Sequence, residues 1–331
     1  MSAQSTQRSP ENERILNWLR TEFYDSQTTK ESSAASSHWA EFSKKIAVDG
    51  SDGGEKTLHG YGFGDLEQNG LAKKLFSASA TSLHRLSHAN LPLAGEIILC
   101  KSLVRRMGLS YSQDAFRQAC TLHLLKQHVR SDCEEVLIIG DGYGLLAGLI
   151  HETFPKARVT LIDLGAVLYF QAFGLTKVWP AERCALVSSK TVLGDEAGSR
   201  LRFVPAESLA ETELSFSKLD VAVNIASMQE MDPDMVASYF HLLRKNKAAL
   251  FYCCNRLEKK LPDGKVSAYH SYPWFPGDQH LVDEPCPWQQ WFLGLPPFGK
   301  NNLTLGGLPL PLIHRYDGTH WHRLTRMAHE K

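Results

Sequence analysis

The chain has 331 residues, enough for one large enzyme domain with additions or about two units, and in either case for a sizeable core. Its 36 Lys and Arg balance 36 Asp and Glu, so no bulk field draws a polyanion, and neither nucleic acid nor an anionic membrane is indicated as a partner. Hydrophobic content of 43% with 22% charged residues excludes wholesale disorder and a collagen-like or disulfide-scaffold class. The opening stretch, MSAQSTQRSPENER, lacks the apolar core of a secretory signal, so a cytoplasmic setting is expected. Behind Asn12, read as an N-cap, Ile15, Leu16, Leu19 and Phe23 recur at helical spacing. Residues 26–37 are polar, and GSDGGEKTLHGYGFG, with six glycines between 50 and 64, predicts a loop. Leu71, Leu75 and Phe76, then Ile97, Ile98, Leu99, Leu103 and Val104, then Ala115, Phe116, Ala119, Leu122 and Leu125 behind Ser112 carry a helical period. Residues 1–130 are therefore expected to form a helical N-terminal cap.

From residue 131 the texture changes to short apolar runs separated by helical stretches. The runs 136–139, 159–162, 202–204, 221–225 and 250–254 are too unbroken in hydrophobicity to have a wet face, which predicts a parallel sheet covered on both sides. The expected fold is α/β, a doubly wound Rossmann-like sheet over 131–331 with the helical N-terminal extension. After Asn255 the periodicity stops. Nine of the fifteen prolines fall beyond it, so 256–311 is expected to wall an acceptor site, with a last edge strand over 320–327. No window offers the ~20 apolar residues of a spanning helix, which predicts no membrane partner. The seven cysteines are odd in number and never spaced as C-x-x-C, so they read as reduced, buried thiols.

The strongest local signal is VLIIGDGYGLLAGL over 136–149: a strand, then Gly140, Gly142 and Gly144, then a helix start. Glycine lets the chain turn sharply and approach a ligand more closely than a Cβ permits. The second strand ends in Asp163, 19 residues after Gly144, where a carboxylate is placed to accept both hydroxyls of a ribose. The combination predicts an adenosine-type cofactor, either a nicotinamide dinucleotide or S-adenosylmethionine. Asp141 favours the second. It puts a negative charge where a pyrophosphate wants backbone N–H groups at a helix start, whereas the sulfonium donor has no phosphate and bears a cationic amino group.

NIASMQEM over 224–231, with YPW over 272–274 and DEPCPWQQWF over 283–292, resembles the sugar O-methyltransferase family of class I S-adenosylmethionine-dependent methyltransferases. The likeness runs from about Glu96 to the C-terminus. It implies that Gly140, Asp141, Gly142, Gly144, Asp163 and Leu164 hold S-adenosyl-L-methionine, with Asn224 and Ser227 beside it. It also implies a small-molecule glycosyl acceptor in contact with Gln229, Tyr272 and Trp274. The chain departs from the class pattern at Ile138, where an acid usually anchors the donor's amino group, and at Gly165, where a proline is common.

Methyl transfer to a sugar hydroxyl needs a positioned base. Glu230, His270, Asp278 and His280 are the candidate catalytic residues. Glu230 follows the end of a buried strand, and His270 sits among Tyr269, Tyr272 and Trp274. Asp278, His280, Asp283 and Glu284 carry donor types suited to magnesium or manganese, but no spacing here is diagnostic and no metal is expected. Ser227 or Asp232 reads equally as a cap for a helix over 233–243. Two other functions stay open at this point: a methyltransferase fold that has lost its chemistry, suggested by Ile138, and a nicotinamide-dependent oxidoreductase.

Overall fold

The computed structural model describes residues 8–25, 47–49, 57–59, 79, 81–194, 198–294 and 296–329. Ser9 caps α1 (Pro10–Arg20), its side chain accepting from Asn12 N at 3.2 Å, so the cap sits three residues before the Asn12 read from sequence. Most of the glycine-rich stretch and residues 60–78 lie outside the described residues. Within the stretch, Thr57–His59 forms β2, antiparallel to β1 (Ala47–Asp49). Helix α2 (Ala94–Met107) stops at Gly108 in the left-handed conformation, and α3 (Gln113–His128) starts at Ser112, whose side chain accepts from Ala115 N. Their buried Leu103, Phe116 and Leu122, with Ile15 of α1, share one core cluster with Val136 and Leu161 of the sheet.

The alternating part begins with β3 (Glu135–Ile139), α4 (Leu145–Thr153), β4 (Arg158–Asp163) and α5 (Gly165–Val178). It continues through β5 (Cys184–Val187), β6 (Val192–Leu193), β7 (Leu201–Pro205), β8 (Val221–Ile225), α6 (Pro233–Lys245) and β9 (Leu250–Arg256). After the hairpin β10 (Glu258–Lys260) and β11 (Val266–Ala268) come β12 (Gln279–Pro285), β13 (Trp291–Leu293), β14 (Asn302–Leu305), β15 (Leu308–Arg315) and β16 (His320–Arg326). The main sheet has nine strands in the order β12-β16-β9-β8-β3-β4-β7-β5-β6. Strands β9, β8, β3, β4, β7 and β5 are mutually parallel, which is the expected doubly wound arrangement, and every residue of β3, β5 and β7 is buried. Three details differ from the sequence reading. Strand β16, expected at an edge, lies between β12 and β9. The run 184–187 is a sheet strand, and the proline-rich segment is itself largely β: β12 closes the sheet edge, while β13, β15 and β14 form a separate small sheet. Proline is tolerated there because Pro285 ends an edge strand, and Pro309 and Pro311 lie in the half of β15 that pairs only with β14. All seven cysteines are buried and unpaired, and no helix among the described residues is long and apolar enough to cross a membrane.

Candidate active site

The carboxyl ends of the parallel strands are in register, Ile139 beside Ile162 and Asn224, and Ile225 beside Cys254. Open parallel sheets place their ligand crevice at this edge, and a cleft of about 420 Å³ lies there. That volume falls in the usual range for small-molecule sites, ~300–1,000 Å³.

The turn after β3 forms one wall. Gly140, Gly142 and Gly144 all adopt positive φ, +74°, +56° and +78°, a region L side chains rarely enter. A Cβ at Gly140 would overlap the Ser227 side chain, and one at Gly144 would meet Gln171 Cα at 3.3 Å. Gly140 and Gly142 line the cleft, whereas Gly144 packs against α5. Between them, Asp141 turns its carboxylate onto the start of α4, accepting from Leu146 N at 3.2 Å and Ala147 N at 2.7 Å. The anion site at that helix terminus is therefore filled by the chain itself.

Asp163 ends β4 and accepts from Leu164 N at 2.9 Å, Gln171 Nε2 at 2.7 Å and Asp141 N at 3.2 Å. Of its roughly four acceptor positions one remains for a ligand hydroxyl. Glu207, just after β7, receives Gly165 N on both oxygens, at 3.1 and 3.0 Å. Burial pushes Asp141, Asp163 and Glu207 each up to about 7, with Asp163's charge adding at Asp141 and Glu207's at Asp163. None of the three has a cationic partner among the described residues, although Asp141 and Asp163 both face the cleft. Ile138, at the position of the class acid, is an apolar part of the same wall.

The segment NIASMQEM forms the floor. Buried Asn224 donates to Ile139 O at 2.8 Å and Ser227 Oγ at 2.6 Å, and accepts from Met228 N and Asn255 Nδ2. Ser227 Oγ donates to Ile139 O, and Gln229 Oε1 accepts from Arg256 N at 2.8 Å. Ala226, between Asn224 and Ser227, holds φ +56° without being glycine, a strained backbone position on the cleft surface. Asn224, Ser227 and Gln229 thus lock the loops after β3, β8 and β9 together. Glu230 faces the cleft, its Oε1 paired with Lys259 Nζ at 2.7 Å.

The far wall comes from α3, the segment 288–292, Tyr316 of the β15–β16 turn, and the facing ends of β9 and β16. Sequence reasoning missed it, although Gln113, Arg117 and Thr121, spaced by four on α3, form a buried polar stripe that carries the signal. Arg117 donates to Asp114 Oδ1 at 2.6 Å and to the carbonyls of Trp288 and Trp291. His320 is 1% exposed, and its Nδ1 has no hydrogen-bond partner among the described residues. Burial, with the charges of Arg256, Arg117 and Lys259, pushes it down to about 3.

Besides Gly144 and the fully buried Asn224, five expected site residues stand outside the cleft. His270 is exposed beside Trp321. Tyr272 and Trp274 pack on Phe240 beneath the sheet, because burying the rings there removes more apolar surface from water than a loop would. Asp278 lies at the opposite sheet edge, its carboxylate paired with Arg244 at 2.6 Å and accepting from Phe275 N and Ala328 N. His280 Nδ1 is 2.9 Å from Thr325 Oγ1. Asp283 pairs with Arg323, so the acids considered as metal donors diverge, and no three His, Cys, Asp or Glu among the described residues gather for a metal ion.

No known family pattern and no curated protein matches the sequence. Solved structures resemble it in part. The pyocyanin biosynthetic protein matches at 18% identity and TM-score 0.30, over 41% of this chain and 36% of its own. The mitomycin 7-O-methyltransferase matches at 14% and 0.34, over 65% and 57%. A candidate O-methyltransferase from Klebsiella pneumoniae matches at 12% and 0.40, over 77% and 98%. The chain thus spans under two thirds of the length of the first two. These TM-scores lie below 0.5, and the chemistry of this chain rests on its own residues.

Proposed function

We propose that the protein is an S-adenosylmethionine-dependent O-methyltransferase acting on a hydroxyl of a sugar or glycosylated small molecule. The observation that carries this reading is the pair Asp141 and Asp163 in the cleft, with Glu207 behind them, three half-buried carboxylates without a cationic partner among the described residues. Such a donor set suits a ligand that brings positive charge and hydroxyls and repels a diphosphate. The helix start that a dinucleotide's pyrophosphate needs is already bonded to Asp141. That argues against the nicotinamide alternative.

Asp163 would hold a ribose hydroxyl, Gly140, Asp141 and Gly142 the amino-acid end, and Ile162, Leu164 and Ala206 supply apolar wall for an adenine. When bound, the donor supplies an electrophilic methyl group for in-line attack by the acceptor oxygen. The chain's part is to orient that oxygen and remove its proton. Glu230 suits the task better than His320, because the three cations near His320 oppose its protonation, whereas Glu230 is a carboxylate on the cleft surface. Lys259 also positions the carboxylate. The glycosyl nature of the acceptor rests on the family resemblance and on a mouth that mixes Trp288, Phe292 and Tyr316 with Gln113, Gln118 and Gln289.

Calorimetric titration with S-adenosylmethionine, S-adenosylhomocysteine and NADH tests the reading. Binding of the first two with no heat from the third is expected. NADH binding, or no binding of either sulfur compound, would overturn it.

A further inference from the structure

Arg256 ends β9 and faces His320 across the antiparallel pair with β16, so the two side chains project from the same face into the cleft. Its backbone is fixed by the 2.8 Å bond from its N–H to Gln229 Oε1. Its guanidinium is not. Among the described residues it makes no ion pair and no side-chain hydrogen bond, and its Nε is buried without a partner. The other two cations on this side are matched, Arg117 with Asp114 at 2.6 Å and Lys259 with Glu230 at 2.7 Å. One positive charge is left over, partly desolvated, beside the unpartnered Nδ1 of His320. A buried donor left unpaired is costly, more so when charged, and a guanidinium is best satisfied by a planar or tetrahedral oxyanion bound through two N–H groups.

We infer that Arg256 is a specificity residue that receives an oxyanion on the acceptor, a carboxylate or a phosphate, so that the substrate is an acidic sugar derivative rather than a neutral one. This rests on the methyltransferase reading above and narrows its substrate class. His320 Nδ1, next to the guanidinium, takes a neighbouring hydroxyl. The donor half of the cleft offers no rival for the same anion, since its ionised side chains are acids.

The test uses the full chain saturated with S-adenosylhomocysteine, titrated with glucose, glucuronic acid and glucose 6-phosphate as probes. Wild type is expected to bind at least one acidic probe about tenfold or more tightly than glucose, as a charge-assisted contact would give. Preference for glucuronic acid identifies a carboxylate as the source, and preference for glucose 6-phosphate identifies a phosphate. Arg256→Gln is expected to bring the acidic probes to within about twofold of glucose, Arg256→Lys to restore part of the preference, and both to leave S-adenosylhomocysteine affinity unchanged. No acidic probe binding more tightly than glucose to wild type would overturn the inference. So would a loss of S-adenosylhomocysteine affinity in Arg256→Gln, which would assign the guanidinium to the donor's own carboxylate. Failure of S-adenosylhomocysteine to bind wild type would instead sink the methyltransferase reading itself.

Discussion

The two halves of the cleft are built on opposite electrostatic plans. On the β3–β4–β7 side, Asp141, Asp163 and Glu207 have no cationic partner among the described residues and are pushed toward neutrality by burial. On the β9–β16 side, two cations are paired and Arg256 is not. Uncompensated charge in a low-dielectric site is expensive, so each half stores a penalty that a ligand of opposite sign relieves, as protonation also does on the acidic side. A fold can thereby specify two ligands of different charge in one continuous space.

The comparison is broken most severely at Glu230, which stands at the seam. Glu230→Gln is expected to lower turnover by ~10² or more while S-adenosylhomocysteine affinity stays within about twofold, because the amide keeps the shape and loses only the proton acceptor. Equal rates for wild type and mutant across pH 6 to 9 would move the base elsewhere. On the acidic side, Asp163→Ala should weaken S-adenosylhomocysteine by about tenfold or more, ~1.4 kcal/mol, which titration calorimetry reads directly.

The acidic plan also predicts a pH dependence. Carboxylates at about 7 in the fold and near 3.8 to 4.5 ordinarily hold protons at pH 5 to 6 that a cationic ligand expels. S-adenosylmethionine affinity should therefore rise about tenfold between pH 6 and pH 8 if one proton is lost on binding. For the unliganded protein the sign is opposite. Folded values above the unfolded ones mean that stability falls as pH rises from about 4 to about 7 and levels off beyond, which denaturant midpoints at several pH values would show. A flat affinity profile would mean the carboxylates do not meet the ligand's charge. The smallest effects belong to His270→Ala and His280→Ala, which lie outside both halves. Each should leave kcat/KM within about twofold, and a drop of more than tenfold would require the C-terminal strands to fold over the cleft in turnover.

The halves also differ in how far the sequence betrays them. The donor half is local: a strand, a glycine turn and a strand-terminal acid fall within 28 residues, 136–163, so periodicity and spacing suffice. Glu230 was legible for the same reason, being five residues past a buried strand. The acceptor half joins Arg117, Arg256, Trp288 and His320, brought together only by α3 lying over the sheet and by β16 pairing with β9. The prolines after residue 256 broke the two-residue period and hid β12 and β15, and Tyr272 and Trp274, which look like sugar-binding residues in sequence, and Asp278, which looks like a candidate base, are taken up by core packing and an ion pair with Arg244.

The space denied to a side chain at Gly140 is occupied by Ser227, and Ser227 is itself tied to Ile139 and Asn224. Mechanically, the turn after β3 and the turn after β8 are meshed like two teeth, and neither slides without the other. The floor of the cleft therefore behaves as a rigid hearth on which both ligands must be laid. The far wall is tied in the same way, since Gln113 Nε2 donates to Leu293 O at 3.1 Å and Arg117 to Trp291 O at 3.0 Å, joining α3 to β13.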